Sequence, residues 1–322
     1  MLAYMLRRLG ETILVLVAVS FICFMIFQYL GDPVMAVIGY EHSTPEIVAR
    51  AREQLGLDRP FYVQYASFIG RALRGDLGRS YVHIRPVGDV IIERIPATLE
   101  LVTVSIVITA ALGLLLGMYT AVRPRNFLSK SILTTSILGI STPTFLIGLL
   151  LILVFAVELN WLPSSGRGTT KTLGMWRTGL LTIDGLRHLV LPALALSFYQ
   201  FALTVRLVRA EMLEVLSKDY IRTAQSKGLA RHKVVIKHGL RNAALPAITI
   251  LGLQFGEMLG FSIVTETVFQ WPGLGRLLIS SIYSSDNPVI VVYIMFIAVV
   301  IAVVNLVVDL AYSLLDPRIV YS

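Results

Sequence analysis

The sequence predicts an all-α integral membrane protein with six transmembrane helices and a small helical segment outside the membrane after the first. Three observations predict it. Of 322 residues, 56% are apolar and 15% charged, with a mean hydropathy of +0.75, whereas about a quarter of a soluble domain is charged. The apolar residues gather into six runs near the roughly 20 residues that a helix needs to cross the hydrocarbon core, where no water satisfies free backbone groups. The basic residues lie between those runs, and their density alternates from one connection to the next.

The first span is expected over Ile13 to Leu30. Arg7 and Arg8 ahead of it resemble a signal-peptide n-region, but the apolar stretch continues to Leu30 without a small-residue cleavage site, so the span is retained. Gly31 to Ile95 forms an extracytoplasmic segment. Within it, Pro45 to Gly56 has helix-forming composition behind a Ser43-Thr44 cap, and Phe61, Tyr65, Phe68 and Leu73 recur at helical spacing.

The second and third spans are expected over Thr98 to Val122 and Ile132 to Val157. Pro143 removes a backbone bond from the third and crowds the preceding turn, which predicts a kink. Glu158 to His188, rich in Gly, Thr and Trp, reads as a loop. Leu189 to Val208 and Ala243 to Thr265 are the fourth and fifth spans, with Pro192 and Pro246 near their starts, where a missing N–H costs little. Val289 to Leu310 is the sixth. The organisation is then residues 1–30 for the N-terminal end and first helix, 31–95 for the external segment, 96–313 for a five-helix core with a cytoplasmic loop at 209–242, and 314–322 for a cytoplasmic tail.

Charge sets the expected orientation. Fifteen of the 28 Lys and Arg fall on one side, nine of them between Arg206 and Arg241. Eight of the other 13 lie in the long external segment, where eight acidic residues balance them and translocated loops escape the positive-inside rule. Both termini are therefore expected in the cytoplasm. The net charge of +8 forms no single stripe, which argues against nucleic acid as a partner. The one cysteine, Cys23, excludes a disulfide or a cysteine metal site within the chain.

Polar and small residues inside the spans divide between packing and transport. Gly113 and Gly117, and Gly252, Gly256 and Gly260, recur every four residues, a spacing that suits close helix packing or a helix that slides or lines a pore. Glu100, Glu257, Glu266 and Asp309 are ionisable groups in or at the ends of spans, which face protein or a water-filled cavity. Glu257 and Glu266 are nine residues apart, on opposite faces of one helix, and cannot form a carboxylate pair. For Glu266 and Asp309 a cap or interhelical hydrogen bond stands level with transport chemistry. Glu257, deepest in, with Gly256 and Gly260, is the candidate lining of a translocation path.

Enzyme chemistry is poorly supported. Gly166-Arg167-Gly168-Thr169-Thr170-Lys171-Thr172 fails as a phosphate loop because Thr170 stands where glycine must precede the lysine. The five histidines, His42, His83, His188, His232 and His238, contain no His-x-x-x-His pair, so neither a metal site nor nucleophilic catalysis is indicated.

The most informative segment is the basic loop Lys218 to Leu229. It is too polar to span and too helix-prone to be a linker. Tyr220 to Lys227 can form about two turns, and Gly228 suits the left-handed residue that ends a helix. A second basic helix, Arg231 to Leu240, leads to Leu245-Pro246. A solvated positive-inside loop is the bland alternative.

At these residues the sequence resembles the permease subunits of binding-protein-dependent ABC importers, specifically the B-type subunit of dipeptide and oligopeptide systems. Arg222-Thr223-Ala224, three residues, then Gly228, resembles the superfamily's Glu-Ala-Ala…Gly loop, with Arg-Thr in place of Glu-Ala as in the peptide branch. Leu245-Pro246 lies farther from the glycine than in the general pattern, again as in that branch. Further stretches resemble the family in order: Tyr4 to Leu9, Gly31 to Val34, Leu55 to Pro60, Gly75 to Ser80, Glu266 to Gly275 and Leu315 to Arg318.

The resemblance implies a type I importer fold in which Tyr220, Arg222, Thr223, Ala224, Lys227, Gly228 and Leu229 belong to a coupling helix seated in a groove of an ATPase subunit. It implies no cofactor in this chain, with ATP and Mg bound by two ATP-binding partner subunits. A paralogous second permease completes the path, and a periplasmic or lipid-anchored binding protein delivers substrate at the bacterial inner membrane. Short peptides are the favoured substrate, with glutathione, nickel or another small solute as alternatives. An ion-coupled secondary transporter is a competing class, whose site would contain paired intramembrane carboxylates or broken helices, and the lack of an inverted repeat argues against it. A receptor or scaffold without transport is a third.

Overall fold

The computed structural model describes residues 2–29, 44–46, 49–50, 58–174 and 176–315. The expected helix Pro45 to Gly56 and the stretches Gly31 to Val34 and Asp316 to Arg318 lie wholly or mostly outside them. The chain divides into two compact units, Met1–Pro96 with Gly273–Leu306, and Ala97–Pro272 with Val307–Ser322.

In the first unit, helix α1 (Leu2–Tyr29) carries the first apolar run and starts well ahead of it. Helix α2 (Phe61–Leu73) has the bounds its aromatic spacing predicts. Phe61, Tyr65 and Phe68 meet Phe21, Phe24 and Phe27 of α1 at ring separations of 5.2–6.3 Å. Such pairs each contribute about 0.5–1.5 kcal/mol beyond area burial. Ser20 and Tyr65 hydroxyls share a 2.8 Å hydrogen bond across the same contact.

Gly75 and Gly78 at φ +80° and +77° turn the chain after α2, and the loop that follows closes on Asp286. That buried carboxylate accepts from Ser80 Oγ at 2.5 Å and from the Tyr81 amide at 3.1 Å. Burial, and then the Asp286 charge, push the Tyr81 phenol up to about 12. Helix α9 (Leu274–Tyr283) and the first part of α10 (Asn287–Leu315) complete the unit.

Helix α3 (Val87–Val122) runs from the first unit into the second through Pro96. It starts eleven residues before the predicted Thr98, because Asp89, Glu93 and Pro96 mask its helical first turns from an apolar-run criterion. The predicted third span is not one kinked helix. Helix α4 (Phe127–Ser141) stops, and α5 (Thr144–Leu151), continued by the π-helical turn Ile152–Glu158, leaves at a bend of 116°. Thr142 is extended, at φ −99° and ψ 127°, as the residue before a proline prefers. Among the described residues five helices are long and apolar enough to cross a membrane, and the bent pair makes a sixth if it counts as one span.

The predicted loop at Glu158 to His188 contains a short antiparallel hairpin, β1 (Lys171–Leu173) with β2 (Trp176–Thr178), turned at Gly174 with φ +62°. Thr182 then caps helix α6 (Ile183–Ser217), accepting from the Gly185 amide at 3.0 Å. The helix begins six residues before the apolar run, so Pro192 sits in its interior and not near its start as expected.

Helix α6 packs against α4, α5 and α8 (Arg241–Val268). A Cβ on Gly113 would lie 2.5 Å from Thr204, one on Gly117 2.7 Å from Val208, and one on Gly252 2.5 Å from Val308. Those three glycines are therefore packing residues. Between α6 and α8 lie α7 (Asp219–Ser226), the turn Arg231–Lys233 and the π-helical Val234–Leu240, which runs directly into α8.

Candidate functional site

The loop between α6 and α8 is a built element. Ile221 and Ala224, three residues apart on α7, are buried and pack with Val234 and Leu216. The remaining positions of α7 are exposed, and the Arg222 and Asp219 side chains are 74% and 96% accessible. Of the residues expected to couple to a partner, Tyr220, Arg222, Thr223, Lys227, Gly228 and Leu229 lie on the exposed side, while Ala224 faces the chain's own core. The Tyr220 hydroxyl accepts from Asn242 Nδ2 at 3.0 Å, tying α7 to the start of α8.

Gly228 stands at φ +79°. Its amide donates to Gln225 O at 2.9 Å, and the Leu229 amide to Ala224 O at 3.4 Å. These two bonds form the Schellman motif that ends a helix on a left-handed residue. No heavy atom would lie within 4 Å of a Cβ at Gly228. Glycine is needed here for backbone conformation, not for room.

A second constellation joins α6 and α8. Gln200 Nε2 donates to Glu257 Oε2 at 3.0 Å, and one turn along Thr204 Oγ1 donates to Gln254 Oε1 at 3.2 Å. Gln200, Thr204 and Gln254 are buried; Glu257 is exposed. Gly256 is buried, whereas Gly260 is exposed and open on its Cβ side. Gln200 was not among the residues singled out from sequence, although an amide in an otherwise apolar helix is the signal that marks it.

Glu100 and Glu266 are both tied within the second unit. Glu100 Oε2 accepts from Arg167 Nη2 at 2.6 Å and from the Gly179 amide at 3.3 Å, and both ionic side chains are under 10% exposed. Arg167 also donates to Arg177 O at 2.7 Å and lies 5.7 Å from the Trp271 ring centroid. The stretch that fails as a phosphate loop thus carries an arginine into a buried ion pair, with Gly166 and Gly168 at φ +87° and +65° on either side. Glu266, fully buried, accepts from Thr98 Oγ1 at 2.6 Å, which is an interhelical hydrogen bond. Among the described residues no cluster of three or more His, Cys, Asp or Glu is placed to hold a metal ion.

Comparison with known proteins assigns the family. Residues 113–321 match the family described as "Binding-protein-dependent transport system inner membrane component", and residues 1–102 match its N-terminal companion. The chain is 42% identical to the glutathione transport system permease protein GsiC of Escherichia coli O6:H1 over 323 residues, covering all of both proteins. It is 39% identical to the di/tripeptide transport system permease protein DppB of Pseudomonas aeruginosa over 332 residues, 99% of each. A solved amino acid ABC transporter chain aligns at 18% identity and TM-score 0.48 over 71% of this chain and 93% of that one. With full-length relatives near 40% identity and a family match over most of its length, the chain belongs to the binding-protein-dependent transport system inner membrane components, as an all-α, multi-pass permease subunit of the type I importer fold.

Proposed function

We propose that this permease forms half of the translocation path of an ATP-driven importer of short peptides and couples to separate ATPase subunits through α7. The reading of α7 is carried by its geometry: a two-turn helix, closed by a Schellman motif at Gly228 and anchored inward by Ile221 and Ala224, presents Arg222, Thr223 and Lys227 outward. A short helix fixed at both ends transmits displacement as a lever between two states of the bundle, where a flexible loop would absorb it. ATP and Mg then bind the two ATPase partners, and this chain has no nucleotide site and no ATPase activity of its own. A paralogous permease supplies the other half of the path, and a periplasmic or lipid-anchored binding protein supplies substrate.

Support for peptides comes from relatives named for di/tripeptide and glutathione transport, the latter substrate itself a small peptide. Glutathione is the alternative within the same class. In the bacterial inner membrane, the basic residues between α6 and α8 favour a cytoplasmic face for α7, with both termini on the same side. The test is uptake of labelled di- and tripeptides and of glutathione by the complete system in proteoliposomes. Uptake of di- and tripeptides is expected. Transport of nickel or another non-peptide solute, with no peptide uptake, would contradict the substrate reading.

A further inference from the structure

The break between α4 and α5 borders a cavity of about 380 Å³ whose wall includes Ser141, Thr142, Tyr199, Gln200 and Phe261. Gln200 is only 1% exposed, and its Oε1 has no hydrogen-bond partner among the described residues. A buried amide oxygen in this condition calls for an explanation, because most such atoms are paired. Its Nε2 gives one N–H to Glu257, and the Oε1 beside it is an open acceptor.

Two hydroxyls of the wall have the same character. Ser141 and Thr142 donate their hydroxyl protons to Ile137 O at 3.1 Å and Leu138 O at 2.7 Å, which leaves lone pairs for a ligand. Pro143 has no N–H to give. Beside these acceptors the rings of Tyr199 and Phe261 stand 6.2 Å apart, and an aromatic face attracts a cation. Glu257 does not line the cavity, but its exposed carboxylate, 3.0 Å from Gln200 Nε2, sets one negative charge beside the wall. Acceptors, aromatic rings and a single negative charge together fit an alkylammonium group.

We infer that this cavity is a substrate subsite that binds the protonated α-amino group of a short peptide, with Gln200 Oε1 accepting a hydrogen bond and the adjacent Glu257 carboxylate supplying the opposing charge. The inference rests on the peptide-import reading. It adds a location, a chemical group and a residue, Gln200, which acts as a specificity determinant and not only as a helix-packing amide.

The test uses the complete transporter in nanodiscs, with its partner permease, ATPases and binding protein. The probes are Ala-benzoylphenylalanine-Ala and its N-acetyl derivative, irradiated during ATP turnover, with labelled residues mapped by mass spectrometry. The free-amino probe is expected to label the Ser141–Thr144 or Tyr199–Phe261 walls. Acetylation, Gln200→Leu and Glu257→Gln should each lower that labelling about tenfold, the loss that follows when one hydrogen bond to a charged group is removed. Equal labelling by the two probes, labelling confined to other helices, or undiminished labelling of assembled Gln200→Leu would overturn the inference. Should Gln200→Leu fail to assemble, Glu257→Gln, at an exposed position, decides by the same criterion. Trialanine uptake into proteoliposomes is measured separately. Amine-dependent labelling without uptake would refute peptide import and keep the subsite; uptake without it would refute the subsite.

Discussion

Replacing Glu100 by Gln should destabilise the second unit by several kcal/mol, because the buried Arg167 guanidinium loses its counter-charge. The pair is 2.6 Å apart with side chains 3% and 8% exposed, so water replaces little of what is lost. Removing one partner of a buried pair costs about 3–5 kcal/mol, whereas replacing both by groups of similar volume costs far less. The pair is not fully satisfied, since Glu100 Oε1 and Arg167 Nε lack hydrogen-bond partners among the described residues. That favours recovery in the double variant. Glu100→Gln and Arg167→Met should each lower stability by about 3 kcal/mol or more, and the combination should restore most of it, so the coupling is about 5 kcal/mol, above the usual range of about 0.5–3 kcal/mol. The chain's three tryptophans are Trp161, Trp176 and Trp271. All three lie in this unit, so intrinsic fluorescence during detergent-driven unfolding from nanodiscs follows the right region. A Glu100→Gln change below about 0.5 kcal/mol, or simple additivity of the two variants, would refute the reasoning.

Two further outcomes follow from the same physics. With Cys23 replaced, cysteine introduced at Ser165 should react with impermeant reagents from outside and cysteine at Ser226 only from inside, and the reverse pattern would overturn the orientation drawn from charge. The purified chain, free of ATPase subunits, should neither bind nor hydrolyse ATP; reproducible hydrolysis would contradict its role as a passive transport partner.

What the sequence made legible tracks how local the physics is. The bounds of α2 follow from Phe61, Tyr65 and Phe68 alone, and Gly228 announces its left-handed turn because few other residues tolerate one. The start of α3 was hidden because Asp89 and Glu93 break an apolar run without breaking a helix. Pro143 signalled a kink, but the size of the bend depends on Thr142 adopting an extended conformation and on what α5 then packs against, which one residue does not specify. The β1–β2 hairpin has strands of three residues, too short for an alternating pattern. Glu100 and Arg167 stand 67 positions apart, so their pairing is a tertiary fact with no local signature. Glu257 was legible as a polar residue in an apolar helix, whereas its partner Gln200 is defined only once α6 and α8 are side by side.

The central claim, that α7 couples transport to ATP hydrolysis, is tested most directly at Gly228. Because φ is +79° and the Cβ direction is open, Gly228→Ala carries only the backbone penalty of a left-handed residue, about 1–2 kcal/mol. That variant should insert, assemble and transport at a reduced level. Gly228→Glu adds bulk and negative charge on the surface that the claim assigns to ATPase docking, where an unmatched charge in a docked groove opposes binding. Permease abundance, ATPase co-purification and uptake are measured together for both variants. The account predicts abundant membrane-inserted Gly228→Glu permease without bound ATPase and without uptake; normal ATPase association and normal uptake would contradict it.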